Sequence, residues 1–229
     1  MNTIQQLITE HMDIWTAADT GKRSGRGRAS SSAGSVYGVK KLRELIYELA
    51  ATGRIVETNN IVKDYLLGDV SEFVMGQAPP GSECNTTGDG TIFVKTGEFG
   101  ALYPEVKEWT TKPLKLAKTG DILICVVGAT IGKLNLAIDC AIGRSVAAIR
   151  PTEAVDSKYL YYVLTPFTLR LREKSRGSAQ GVIGKAELSL VKIRLPALEE
   201  QHRIITKVDE LMALCDQLET RHSNAAEAH

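Results

Sequence analysis

Gly128-Ala129-Thr130-Ile131-Gly132-Lys133 is the segment nearest in type to a phosphate loop, a Gly-rich turn whose backbone N–H groups and lysine cradle a nucleotide. Its glycines enclose three residues where four are needed, and Leu134 stands where a magnesium-binding Ser or Thr belongs, so a nucleoside triphosphate site is excluded. No G-x-G-x-x-G follows a strand-like run, no G-x-S-x-G supplies a hydrolase nucleophile, and neither Asp-Pro-Pro-Tyr nor Asn-Pro-Pro-Tyr marks an amino-methyltransferase. His11, His202, His222 and His229 are too scattered to hold a metal. Cys84, Cys125, Cys140 and Cys215 lack C-x-x-C spacing and are expected to stay reduced thiols.

What remains is a set of cations beside small residues. Lys133, Arg144, Arg176 and Lys185 each adjoin Gly or Ser in a loop-like stretch, which suits contact with phosphates. Ser145, Ser178 and Gln180 offer short polar contacts nearby. Lys95, Thr96 and Glu98 make a second candidate loop, in which the carboxylate would accept from a cytosine amine. The competing reading of each residue is ordinary surface turn chemistry, and Gly97, Gly128 and Gly132 serve turns as readily as a ligand.

These candidates need a scaffold, and composition permits one. The 229 residues are 43% hydrophobic and 24% charged, ordinary for a globular chain, with a formal net charge of +1. The longest aliphatic run, Ile122 to Val127, is far short of the roughly 20 residues of a membrane span. The first 20 residues carry Glu10, Asp13 and Asp19 and lack the pattern of a secretory signal, so a cytoplasmic protein is expected. The small net charge hides a gradient: residues 1–58 carry +2, residues 59–195 carry +3, and residues 196–229 carry −4. Between Thr165 and Arg194 seven cations face two anions, the profile of a surface for an anionic polymer or of a solvated face.

The pattern divides the chain into the same three parts. Residues 1–58 hold an amphipathic start, a mobile Gly/Ser-rich insert at 21–35 with Lys22, Arg23, Arg26 and Arg28, and a helix over Gly38–Thr52 with Val39, Leu42, Ile46 and Leu49 on one face. Residues 59–195 carry β-type runs at 91–95, 122–127, 137–138, 146–149 and 191–195, separated by turns such as Thr119-Gly120-Asp121, with one helix over 157–174. This predicts a mixed α+β domain with a curved, mostly antiparallel sheet. Residues 196–229 enter a helix at Pro196 and carry Ile204, Val208, Leu211, Cys215 and Leu218 at a/d spacing, widened by Ile205, Met212 and Leu214. That stripe needs a partner: the 38–52 helix, a second copy of the chain, or another subunit.

Three stretches together resemble the specificity subunit of Type I restriction-modification systems. They are Gly38–Ile46 with Leu49–Val56; Lys118–Ile124 with Gly128–Lys133 and Cys140–Pro151; and Gly177–Gln180, Ile183–Leu188 and Leu195–Ile205 continuing to Val208–Met212. The resemblance implies a target recognition domain over 59–195 that reads one half of a bipartite double-stranded DNA target. It implies conserved helices that form a coiled-coil-like spacer and dock the modification and restriction subunits. It further implies no catalysis and no cofactor in this chain, with S-adenosylmethionine on the modification subunit, which methylates adenine. A homodimer through the helices would supply two readers; a chain of this length is expected to be either such a half-length subunit or the first half of a longer one. The alternatives are a coiled-coil scaffold with an incidental basic surface and a stand-alone DNA-modifying enzyme.

Overall fold

A computed structural model describes residues 37–57, 62–175 and 181–227. The expected start of the chain and its insert at 21–35 lie outside them. In order, the elements are α1 (Tyr37–Ala51), β1 (Lys63–Leu66), β2 (Ser71–Met75), β3 (Cys84–Asn85), β4 (Thr91–Val94), β5 (Trp109–Thr110), β6 (Leu116–Ala117) and β7 (Ile122–Cys125). There follow β8 (Leu134–Leu136), β9 (Cys140–Ile142), β10 (Val146–Pro151), α2 (Ser157–Ser175), α3 (Lys185–Ser189), β11 (Lys192–Leu195) and α4 (Leu198–Glu227). The α+β class and the mostly antiparallel pairing agree with the sequence reading. The strands divide into three sheets, ordered β1-β11, β2-β10-β7-β8 and β3-β5-β4-β9-β6, and β4 with β9 is the parallel pair. The run expected as a strand at 137–138 lies just past β8, where Ala137 N–H donates to the Asp121 carbonyl at 2.9 Å and carries the β7–β8 register one step further.

The four-stranded sheet is a wall between two cores, which explains its unbroken apolar strands. Successive side chains of a strand point to opposite faces. Ile122, Ile124, Ala147 and Ile149 face a core shared with the helices, while Leu123, Val146 and Ala148 face a second core with Val94, Ala117, Cys140 and Ile142 of the five-stranded sheet. Every side chain of β7 is therefore buried.

Three thiols sit in these cores. Burial pushes Cys140 up to about 12 and Cys215 up to about 11, and Cys125 is fully buried, whereas Cys84 is half-buried on an outer strand. A thiol-alkylating reagent should modify Cys84 in the native protein and reach the other three only on unfolding. Equal native labelling of all four, read by mass spectrometry, would contradict the packing.

The helices form the remaining layer. Val39, Leu42 and Ile46 of α1 and Tyr159, Leu160, Val163 and Leu164 of α2 bury against the stripe of α4. Ile204, Val208, Leu211, Cys215 and Leu218 are all at most 5 % exposed, so the partner that the stripe needs is the chain's own α1 and α2. Of the three partners the sequence leaves open, this is the first, with α2 added: the connections from α1 through the sheets bring α4 back alongside α1. Polar contacts fix the register. Arg43 of α1 donates to Asp216 at 2.6 Å and Glu219 at 2.9 Å, Lys158 of α2 pairs with Asp209 at 2.6 Å, and Arg170 pairs with Glu48 at 2.8 Å.

Two buried polar residues tie elements together. At the start of α4, Gln201 is fully buried; it accepts from Asp156 N–H at 2.8 Å and donates to the carbonyls of Ala154 and Pro196, each at 2.9 Å. In the turn before β7, Asp121 is 2 % exposed and is gripped by Arg150 through Nε at 2.9 Å and Nη2 at 2.8 Å, while also accepting from Lys118 N–H at 2.9 Å.

Candidate nucleic-acid interface

Most of the loops singled out in the sequence meet at one end of the sheets, and backbone hydrogen bonds link them in series. Gly143 N–H donates to Val94 O at 2.9 Å, which joins the 143–145 turn to the loop after β4. Val126 N–H donates to Ser145 O at 2.9 Å, which joins that turn to the loop after β7. Ile183 N–H then donates to Val126 O at 2.9 Å and Gly128 N–H to Gly181 O at 3.2 Å, which draws in the segment leading to α3. Lys95, Arg144, the 128–133 loop and Lys185 thus lie on consecutive, directly bonded segments although up to 90 residues separate them in sequence.

Glycine makes the close approach workable. A Cβ on Gly76 would lie 2.2 Å from Gly143 O and 2.6 Å from Val146 O, so only glycine lets the chain leaving β2 cross this turn. Gly128 and Gly132 both have positive φ, 75° and 76°, and bracket a tight 3₁₀ turn over Gly128–Thr130. That turn is the physical role of the segment that resembled a phosphate loop.

The candidate side chains fare differently. Arg144 and Lys185 are exposed, Lys133 is half-buried, and among the described residues none of the three has an ionic or hydrogen-bonding partner for its cationic group. Lys133 borders a cleft of about 230 Å³ between β8, α2 and the 99–101 loop, together with Tyr161, Thr165 and Thr168. Ser145 is half-buried beside Arg144. Lys95 is committed to Glu108, whose carboxylate raises the lysine's pKa by hydrogen bonding, and it also lies 5.8 Å from the Phe93 ring. Glu98 is 8 % exposed and its carboxylate accepts Lys95 N–H at 2.7 Å, so here it caps its own turn. Thr96 is half-buried in that turn. Arg176, Ser178 and Gln180 lie outside the described residues.

Two features were not read from the sequence. Asn135 of β8 is fully buried and holds both backbone groups of Gly100, accepting from its N–H at 3.1 Å and donating to its carbonyl at 3.1 Å, which pins the loop after β4. The segment between β5 and β7 carries Lys112, Lys115 and Lys118, all exposed. The run Thr111-Lys112-Pro113-Leu114-Lys115-Leu116-Ala117-Lys118 was the available signal, since apolar residues among lysines fit a strand at a sheet edge.

Comparison with known proteins gives a consistent result. A family model described as Type I restriction modification DNA specificity domain matches residues 60–228. A chain of Methanocaldococcus jannaschii assigned as the MjaX type I restriction enzyme specificity subunit is 35% identical, over 73% of this chain and 40% of that one. The HsdS subunit of Thermoanaerobacter tengcongensis superposes with a TM-score of 0.66 at 31% identity, over 83% of this chain and 50% of that one. A chain from a structure of the type I R-M system, solved for its assembly and conformational transition, superposes with a TM-score of 0.72 at 31% identity, over 82% and 48%. The chain spans half or less of the length of each. With the family model matching well over half of its residues, the chain belongs to the Type I restriction modification DNA specificity domain family.

Proposed function

We propose that this chain reads DNA sequence for a Type I restriction-modification complex, contacting one half of a bipartite target through the loop cluster at the sheet end. The observation that carries the reading is the gathering of cations without ionic partners, Arg144, Lys185 and Lys133, on directly bonded loops, while the cations of the helical layer are largely neutralised by carboxylates. In this reading residues 59–195 are the target recognition domain, and the flanking parts, 1–58 and 196–229, provide the helices against which modification and restriction subunits dock. The chain itself is non-catalytic; S-adenosylmethionine and methyl transfer belong to the modification subunit. A second recognition unit, from another copy of the chain or another domain, reads the other half-site. Such a copy meets this one through outer helix surfaces, because the apolar stripe of α4 is occupied. The same occupancy removes the main argument for a coiled-coil scaffold.

Phosphate contacts would supply most of the affinity and base-edge contacts the choice of sequence. The chain assembled with its modification subunits should bind duplex DNA with an affinity that falls steeply with salt. Arg144→Gln and Lys185→Gln should each make the log–log salt slope shallower by about 1. DNA binding that ignores salt, or no binding in the assembled complex, would sink the reading.

A further inference from the structure

The five-stranded sheet ends at β6, and this edge has a composition that the loop cluster does not account for. Lys112, Lys115 and Lys118 recur every third residue, all exposed, and among the described residues none has an anionic or hydrogen-bonding partner for its ammonium group. Leu114 and Leu116 between them are 37 % and 48 % exposed. The carboxylates nearby are largely engaged: Glu83 accepts Thr111 Oγ1 at 2.6 Å, Asp121 is held by Arg150, and Asp139 accepts Thr119 N–H at 2.7 Å. Asp139 tempers the field at Lys118 and Glu83, bonded to Thr111, tempers it at Lys112, so the three ammonium groups leave the edge net positive.

This edge adjoins the loop cluster. Ile142 N–H donates to Lys115 O at 2.9 Å, and Arg144 follows two residues later in the 143–145 turn. Arg144 and Lys115 therefore sit on directly bonded segments, and Lys112 precedes Lys115 by three residues on the same exposed stretch.

Two kinds of polymer could lie along such an edge, and the geometry favours one. Strand addition by another protein needs a long, open ladder, but β6 is two residues long, and lysines along an edge obstruct pairing. Duplex DNA needs no ladder: it presents a negative charge about every 1.7 Å of axis, and a row of cations meets it without regard to sequence. We propose that the Lys112–Lys118 edge is a second phosphate-binding line, which holds the duplex beside the loop cluster and sets its direction across the domain. The proposal rests on the DNA-reading function above.

The test uses the chain assembled with its modification subunits and a fluorescently labelled duplex of random sequence, over salt from about 50 to 200 mM. Lys112→Gln/Lys115→Gln should make the log–log slope shallower by about 1.8, two phosphates' worth, and Lys112→Arg/Lys115→Arg should restore it. A duplex carrying the target should lose affinity by the same factor, which leaves the discrimination ratio unchanged. A wild-type slope in the Gln pair overturns the proposal. Impaired assembly with an unaltered slope overturns it too, and gives the edge to subunit docking instead. If the wild-type complex shows no salt-dependent binding, the functional reading itself fails; if it does and the Gln pair matches it, the edge alone fails.

Discussion

Gln201→Ala is expected to destabilise the chain by about 3–5 kcal/mol, from the loss of three hydrogen bonds in a site without water access. The side chain is fully buried and satisfies Asp156 N–H and the carbonyls of Ala154 and Pro196. Truncation leaves one donor and two acceptors orphaned, and each unmade buried bond costs about 1–3 kcal/mol. These partners lie on the segment before α2 and at the entry to α4, so the damage centres on the joint between helical layer and sheets. Gln201→Glu tests the chemistry at nearly constant volume. It aims a carboxylate at two carbonyl oxygens, and folding then favours the protonated acid. Its folded pKa would be raised above the unfolded value, so the variant should lose stability as pH rises between those two values and recover it in acid. Urea unfolding monitored by circular dichroism reads both variants. A loss under about 1 kcal/mol for Gln201→Ala would mean that water replaces the side chain.

Asp121→Ala should cost about 2–4 kcal/mol, because removing one partner of a buried ion pair leaves the other with its solvation unreplaced. The cost is smaller than for a fully enclosed pair because the Arg150 side chain remains 30 % exposed and can turn toward water. The carboxylate also holds Lys118 N–H, so its loss loosens the turn between β6 and β7. A double-mutant cycle with Arg150→Met separates the effects: Arg150→Met in the Asp121→Ala background should cost far less than in the wild type. Additive losses would show that Asp121 acts through the turn alone.

The parts legible in the sequence were those with a repeating period long enough to recognise. The 3.6-residue spacing of Val39, Leu42 and Ile46 and the apolar runs of β7 and β10 gave those elements nearly to the residue. β3, β5 and β6 are two residues each, too short to carry any period. The stripe of α4 was visible, but its partner was not, because a pattern records that a face is buried and not what covers it. The same limit applied to the candidate interface. Arg144 and Lys185 stand out by their glycine neighbours, yet their nearness comes from hydrogen bonds between distant segments. Glu98 shows a use that the sequence does not announce: a carboxylate three residues beyond Lys95 also serves to cap a short turn, and the structure uses it that way.

The central sheet's position between two cores also has a temporal meaning. Solvent can reach the amides of β7 and β10 only if both cores open together, so these strands belong to the last part of the molecule to exchange its hydrogens. The loops at the sheet end are anchored to that wall by backbone bonds and by a few apolar side chains, Val126, Ile131 and Ile183, while their polar side chains stay at the surface. Exposed side chains on those loops, such as Arg144 and Lys185, can therefore be exchanged without disturbing the slow part beneath them.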